Sequence, residues 1–232
     1  MTVVIATIKS WNIKKAEETI KKSKHHIKLI TDKNELNYEN LNSFNPEYIF
    51  FPHWSWIIPD KVYNNFNCVV FHMTDLPYGR GGSPLQNLIV RGVENTKISA
   101  LKVDGGLDTG PIYFKKVLNL NGSAEEIFLR ASNLIFDEMI PEIINNEIKP
   151  KEQLGEVVEF KRRKPYQSEI KKDFSLSKVY DYIRMLDAEG YPEAYIKYGD
   201  LKLEFSRAKL TADGIVADVK IKRLTEDDLD GE

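Results

Sequence analysis

Two residues of this chain, His72 and Asp108, stand where acid–base chemistry could be done. His72 closes the apolar run Cys68-Val69-Val70-Phe71, where a buried strand would emerge. An imidazole has an unperturbed pKa of ~6.5, so it can take or give a proton near neutral pH. The bland alternative is a structural histidine bonded to a backbone carbonyl. The loop that follows, Leu76-Pro77-Tyr78-Gly79-Arg80-Gly81-Gly82-Ser83-Pro84, is a backbone that can approach a ligand closely before a helix N-terminus. It is not a Walker loop, because no Gly-Lys-Ser/Thr ends it, and many such loops are only turns. Asp108 lies in Asp104-Gly105-Gly106-Leu107-Asp108-Thr109-Gly110, where an aspartate commonly bonds its own backbone. Beside His72 it could instead orient the imidazole. A base, an orienting group and oxyanion donors are the components of acyl transfer.

Bringing residues 72 and 108 together requires elements that end at one edge. The order strand, loop, helix, strand, loop does so in an α/β fold. Short β-branched or apolar runs recur at Val3–Thr7, Ile27–Ile30, Tyr48–Phe51, Cys68–Phe71 and Ile98–Val103, with helical patterns between several of them. Asn12 is placed to cap a helix through Lys14, Glu17 and Ile20; Ser83-Pro84 starts another that Gly92 stops; Ser123-Ala124-Glu125-Glu126 is a capping box opening the longest. Past Lys151 come a polar stretch, a short helix over 177–186 and a hairpin turning at Gly199-Asp200. The expected fold is α/β, a Rossmann-like mostly parallel sheet with helices on both faces, plus a small C-terminal helix and β-hairpin unit. The expected domains are a catalytic domain over 1–150, a small subdomain over 151–225 and an acidic tail over 226–232.

The 232 residues are 42% hydrophobic and 29% charged, which fits a globular chain rather than a disordered one. Thirty-three Lys and Arg against 35 Asp and Glu give no bulk attraction to nucleic acid or acidic membranes. A single cysteine excludes an internal disulfide, and neither a secretion signal nor a membrane-length apolar run is visible, so a cytoplasmic location is expected. The four histidines lack metal-ligand spacing, so no metal is expected.

The same residues carry a resemblance. His72, Thr74, Leu76-Pro77, Arg80-Gly81, Pro84 and Gln86, then Thr96, Asp104, Gly106 and Asp108-Thr109-Gly110, fall without a gap on the motifs of the formyltetrahydrofolate-dependent formyltransferases. Arg162 or Arg163, Lys164, Asp173, Ile183-Arg184 and Tyr191-Pro192-Glu193-Ala194 resemble the family's trailing region less closely. The resemblance implies His72 and Asp108 as catalytic residues and N10-formyltetrahydrofolate as formyl donor. It implies folate contacts at Trp54, Ser55, Trp56, Thr74, Asp75, Leu76, Pro77, Gly82 and Asp104, with Asp75 replacing an apolar family residue. The family's asparagine, which helps stabilise the tetrahedral intermediate, is Val70 here. His53 or Ser55, after the preceding strand, is the candidate substitute, or these residues only line the folate pocket.

For the acceptor, the resemblance favours the short relatives that formylate the primary amine of a nucleotide-linked amino deoxysugar for polysaccharide biosynthesis. A tRNA acceptor is disfavoured, because the chain is expected to have neither the additional C-terminal domain nor the basic insertion that grip tRNA in the methionyl-tRNA enzyme. No nucleic acid, no membrane and a possible homodimer are therefore expected. The alternatives are a methionyl-tRNA formyltransferase-like protein acting on another amine or hydrolysing formylfolate, and an impaired folate-binding protein.

Overall fold

The computed structural model describes residues 1–225; the acidic tail expected over 226–232 lies outside the described residues. In chain order the elements are β1 (Thr2–Ala6), α1 (Ser10–Lys22), β2 (His26–Ile30), α2 (Tyr38–Phe44), β3 (Tyr48–Pro52), α3 (Asp60–Tyr63), β4 (Cys68–His72), β5 (Tyr78–Gly81), α4 (Pro84–Ile89), β6 (Asn95–Lys102), β7 (Ile112–Asn119), α5 (Ala124–Asn133), α6 (Ile140–Asn145), β8 (Val158–Phe160), α7 (Leu176–Arg184), β9 (Ala194–Tyr198), β10 (Leu201–Thr211) and β11 (Gly214–Arg223). Six strands form the main sheet in the order β2-β1-β3-β4-β6-β7. β1 pairs in parallel with β2 and β3, and β3 with β4, whereas β4 and β6 run antiparallel. The sheet is thus mostly parallel, as the alternation of apolar runs and helical segments requires. Among the described residues no helix is long and apolar enough to cross a membrane.

Apolar side chains on both faces of β1 explain why it is central. Val4 and Ala6 join Leu41, Ile49, Phe51, Val62 and Cys68 in one cluster, while Val3 and Ile5 point the other way and are equally buried. From β1 the chain steps through α1 to β2 on one side, then through α2 to β3 on the other. Right-handed crossovers therefore put α1 and α2 on opposite faces and open a crevice at the carboxyl ends of β1 and β3.

The chain divides into two compact units. The first comprises Met1–Gly81, Asn95–Leu118 and Leu129–Glu159; the second comprises Gly82–Glu94, Asn119–Phe128 and the described residues from Phe160 to Thr225. The chain passes between them repeatedly, rather than dividing once at residue 150. Within the second unit, β9, β10 and β11 form an antiparallel sheet on which α7 packs. Arg184 of α7 pairs with Asp181 and donates to the carbonyls of Leu120 and Gly122.

Two local expectations are corrected and a third is extended. Asn12 does not cap α1: the helix begins at Ser10 behind an extended Lys9, and the Asn12 amide is buried, donating 3.3 Å to the Pro52 carbonyl. The capping box is formed, since Ser123 Oγ accepts from the Glu126 N–H while Glu126 accepts from the Ser123 N–H. The helix it opens is not the longest, however, because a π-helical stretch, Leu134–Met139, separates α5 from α6. The hairpin at Gly199-Asp200 forms between β9 and β10, and the unforeseen β11 extends it to three strands.

Candidate active site

Parallel β1, β3 and β4 end together, so their C-terminal residues share one sheet edge. Pro52 is opposite Phe71 in the β3–β4 register, which brings His53 level with His72. Thr7, just past β1, donates its hydroxyl to the Pro52 carbonyl at 2.6 Å and ties the first two ends together.

His72 is buried, with its ring held at Nε2 and facing a carboxylate at Nδ1. Nε2 lies 2.8 Å from the Gly79 carbonyl oxygen, and Nδ1 lies 3.5 Å from Asp108 Oδ2. A carbonyl can only accept, so Nε2 carries the hydrogen in this arrangement. In the neutral ring Nδ1 therefore offers its lone pair toward Asp108, the position at which a proton would be taken up. Asp108 is a non-glycine residue at φ +54°. Its Oδ2 accepts from the Gly81 N–H at 2.9 Å. The duty of bonding the turn's own backbone falls to Asp104, which accepts from the Gly106 N–H at 3.0 Å and from Thr109 Oγ1 at 2.6 Å. Division of labour between the two aspartates leaves Asp108 facing the histidine.

The remaining expected residues are distributed unevenly. Thr74 and Leu76 bury their side chains, and Ser99 Oγ pins the segment by donating to the Thr74 carbonyl and accepting from the Leu76 N–H. Pro77 follows a cis peptide bond. Asp75 is bound by Lys115 at 2.5 Å and by Lys97 at 3.0 Å. Burial raises its pKa, yet the two ammonium groups together outweigh that and hold the carboxyl below the usual range. Trp54 packs edge-on against Phe51 and Trp56, and its buried Nε1 has no hydrogen-bond partner. Trp56 and Ser55 are exposed. The exposed indole of Trp56 offers a flat apolar face of the kind on which a flat heterocycle can stack.

Gly82 belongs to the second unit. A Cβ there would lie 2.6 Å from Arg162 Cβ and 2.7 Å from its Cα, so the close passage of that backbone accounts for the glycine. His53 sits at φ +56° with its ring edge-on to Trp11. Burial, assisted by the Lys9 charge, lowers its pKa to about 4, so the imidazole is neutral at pH 7. Val70 offers no polar atom at the position of the family asparagine.

Three residues were not foreseen. Gly79 supplies the carbonyl that fixes His72, Ser99 anchors the 74–76 segment, and Gln153 touches both the Asp108 turn and Arg80. Gly79 was visible as part of a Gly-rich loop, though not its role. Gln153 is 45 positions from Asp108 in a polar stretch without periodicity, and no sequence signal marks it. A separate cleft of ≈ 380 Å³, lined by Asn45, Glu47, Tyr63, Asn67 and Lys102 among others, contains none of the residues around His72.

A base beside a carboxylate at the edge of a mostly parallel sheet is an arrangement that suits acyl transfer. The chain belongs to the formyl transferase family: residues 5–128 match the Formyl transferase model, and residues 165–222 match the model of the methionyl-tRNA formyltransferase C-terminal domain. The family's formyl donor is N10-formyltetrahydrofolate. Similar proteins include the methionyl-tRNA formyltransferase of Thermodesulfovibrio yellowstonii, 28% identical over 63% of this chain and 50% of its own length. That of Rickettsia bellii is 27% identical over 77% of this chain and 60% of its own. The chain thus spans about half to three-fifths of the length of these curated relatives. A solved structure of methionyl-tRNA formyltransferase from Clostridium thermocellum superposes with a TM-score of 0.94 at 61% identity, covering 96% of this chain and 99% of that one.

These relatives overturn the expectation of a nucleotide-linked amino sugar as partner with nucleic acid excluded, since they are named for a tRNA substrate. Two steps failed. Net charge sums over the whole surface and does not describe any one patch. The region judged too short for a C-terminal domain is the region that matches the C-terminal domain model.

Proposed function

We propose that this chain transfers the formyl group of N10-formyltetrahydrofolate to a primary amine, the amino group of methionyl-tRNA. The observation that carries the chemistry is the pair His72 Nδ1 and Asp108 Oδ2, 3.5 Å apart, with the ring oriented by Gly79 and the carboxylate by Gly81. The relative at 61% identity supports the acceptor. Trp54, Trp56 and the backbone of 74–77 would hold the folate, and the donor supplies an electrophilic formyl carbon.

The amine nitrogen attacks that carbon, and a C–N bond forms while the carbonyl electron pair moves to oxygen. His72 Nδ1 takes a proton from the attacking nitrogen, and the adjacent Asp108 carboxylate stabilises the resulting imidazolium. When the tetrahedral adduct collapses, the bond to N10 breaks and the same proton passes to N10. The products are a formamide and tetrahydrofolate, with no proton gained or lost overall. Fixing Nε2–H on the Gly79 carbonyl keeps Nδ1 as the exchanging atom throughout.

Val70 supports a second reading. An absent oxyanion donor typically costs ~3–4 kcal/mol of transition-state stabilisation. A chain lacking it could release formate slowly or bind folate without turnover. One assay separates these: tetrahydrofolate release from N10-formyltetrahydrofolate, with and without methionyl-tRNA, for the wild type, His72→Ala and Asp108→Ala. Acceptor-dependent release that both substitutions abolish, with folate binding kept, is expected. Release without acceptor would establish hydrolysis instead. Full activity in both variants would refute the site.

A further inference from the structure

The Gln153 side chain is fully hydrogen-bonded, and its partners are the parts of the candidate site. Its Nε2 donates to the Asp108 carbonyl and to the Gly110 carbonyl, each at 2.8 Å. Its Oε1 accepts from Arg80 Nη2 at 2.8 Å and from Arg80 Nε at 3.2 Å. Both amide hydrogens and both oxygen lone pairs are therefore used, the full capacity of a glutamine side chain. The segment is fixed from behind, because Lys151 and Ile112 exchange backbone hydrogen bonds at 2.9 and 2.7 Å.

We propose that Gln153 is a positioning residue for the His72–Asp108 pair, clamping the 108–110 turn to the loop strand that carries Arg80 and Gly81. This inference rests on the formyl-transfer reading for its kinetic consequence, but not for its structural one.

The need for a clamp follows from Asp108 itself. Its backbone is at φ +54°, a conformation that a non-glycine residue occupies only when its surroundings hold it there. Its carboxylate is shared between Gly81 N–H at 2.9 Å and His72 Nδ1 at 3.5 Å. The second contact is longer than a hydrogen bond, so a small rotation of the turn decides whether the carboxylate serves the imidazole or abandons it. Gln153 fixes the turn at the carbonyl of Asp108 and again two residues on. It also grips the residue immediately before Gly81, whose N–H supplies the other hold on the carboxylate. Both sides of the pair are thereby referred to one planar amide. A side-chain carboxamide suits this position, because the turn takes two donors and Arg80 takes an acceptor. Glutamate would keep Arg80, lose both donors and set a charge against two carbonyl oxygens.

The test uses the full chain with Gln153→Met, Gln153→Glu and the wild type. Three quantities are measured: tetrahydrofolate release with methionyl-tRNA, the urea midpoint, and the NMR resonances of the four histidine rings at one pH. The rings of His25, His26 and His53 serve as internal controls. In Gln153→Met the His72 ring resonances shift as the Asp108 carboxylate swings away from Nδ1, while those of His53 do not. Turnover falls about tenfold or more, with a displacement of ~1 Å capable of ~100-fold. Gln153→Glu stays folded through its ion pair with Arg80 yet loses turnover to a similar degree.

Unmoved His72 ring resonances in Gln153→Met overturn the proposal whatever happens to turnover. Moved resonances with undiminished turnover in both variants overturn its catalytic part. If the wild type itself shows no formyl transfer, the function proposed above has failed, and the His72 ring resonances alone decide the placement of Gln153.

Discussion

Acidification should destabilise this protein through His53, and the size of the effect can be worked out. The unfolded chain binds a proton at this histidine near 6.5, whereas burial, with Lys9 nearby, holds the folded imidazole at about 4. Between those values the unfolded state carries more protons, so stability falls as pH falls. The contribution is intact above about pH 6.5 and is lost progressively down to about pH 4. At ~1.36 kcal/mol per pH unit the full span is worth about 3 kcal/mol, and about 2.5 kcal/mol has gone by pH 4.5. Those figures are upper limits, since the residue is half-buried and part of it stays hydrated. The assay is urea unfolding at pH 7 and pH 4.5 for the wild type and His53→Gln, which keeps a polar side chain and removes the titration. Other groups titrate in both proteins, so the quantity of interest is the difference between the two declines. His53→Gln should lose at least 1 kcal/mol less than the wild type, roughly half the ceiling set by linkage. An equal decline, or a His53 ring titrating above about 6 by NMR, would refute the reasoning. Removing the cation by Lys9→Met should raise the His53 midpoint only partly, because burial is the larger cause.

Two further outcomes follow from close packing. Burial pushes the Cys68 thiol up to about 12, and the residue is 1% exposed at the base of β4. Folded protein at pH 8 should therefore react with a disulfide reagent only as fast as it unfolds; rapid stoichiometric labelling would contradict the burial. Gly110 has no room for a side chain, since a Cβ would fall 1.8 Å from the Lys102 carbonyl oxygen. Gly110→Ala must displace the backbone between β6 and β7, where Lys102 N–H donates to the Pro111 carbonyl. A loss of ~2 kcal/mol or more in urea unfolding is expected, and a variant within 0.5 kcal/mol of wild type, the ordinary scatter of surface substitutions, would show that the junction yields freely.

The parts of the fold legible in the sequence are those fixed by local chemistry. The apolar runs of β1, β3 and β4 became buried parallel strands because both faces needed covering, and β1 shows this most plainly. The Ser123–Glu126 capping box formed because its two partners lie within one turn. Misreadings arose where a side chain found a distant partner. Asn12 has the right type for a cap, but the Pro52 carbonyl, 40 positions away, takes its amide. The α5 helix has the right periodicity throughout, yet a hydrogen-bonding shift over Leu134–Met139, which side-chain pattern does not encode, divides it.

The site divides along the same line. His72, the Gly-rich loop and the Asp104–Gly110 turn were legible because each is a short segment with its own composition. What makes them one site was not, because that depends on single hydrogen bonds between segments: Gly79 to His72, Gly81 to Asp108, Ser99 to the 74–76 segment, and Gln153 to Asp108 and Gly110. Choice of acceptor lies further from composition still. Transfer of a formyl group asks for a proton carrier and a flat pocket, which a few contiguous residues announce. Gripping a large acceptor instead asks for a distribution of charge and shape over a surface, and a near-neutral sum of 33 positive and 35 negative side chains is compatible with almost any such distribution. The same arithmetic that discouraged a tRNA acceptor could therefore never have decided against one. A tRNA acceptor has to be argued from the chain's likeness over residues 165–222 and tested with the acceptor itself.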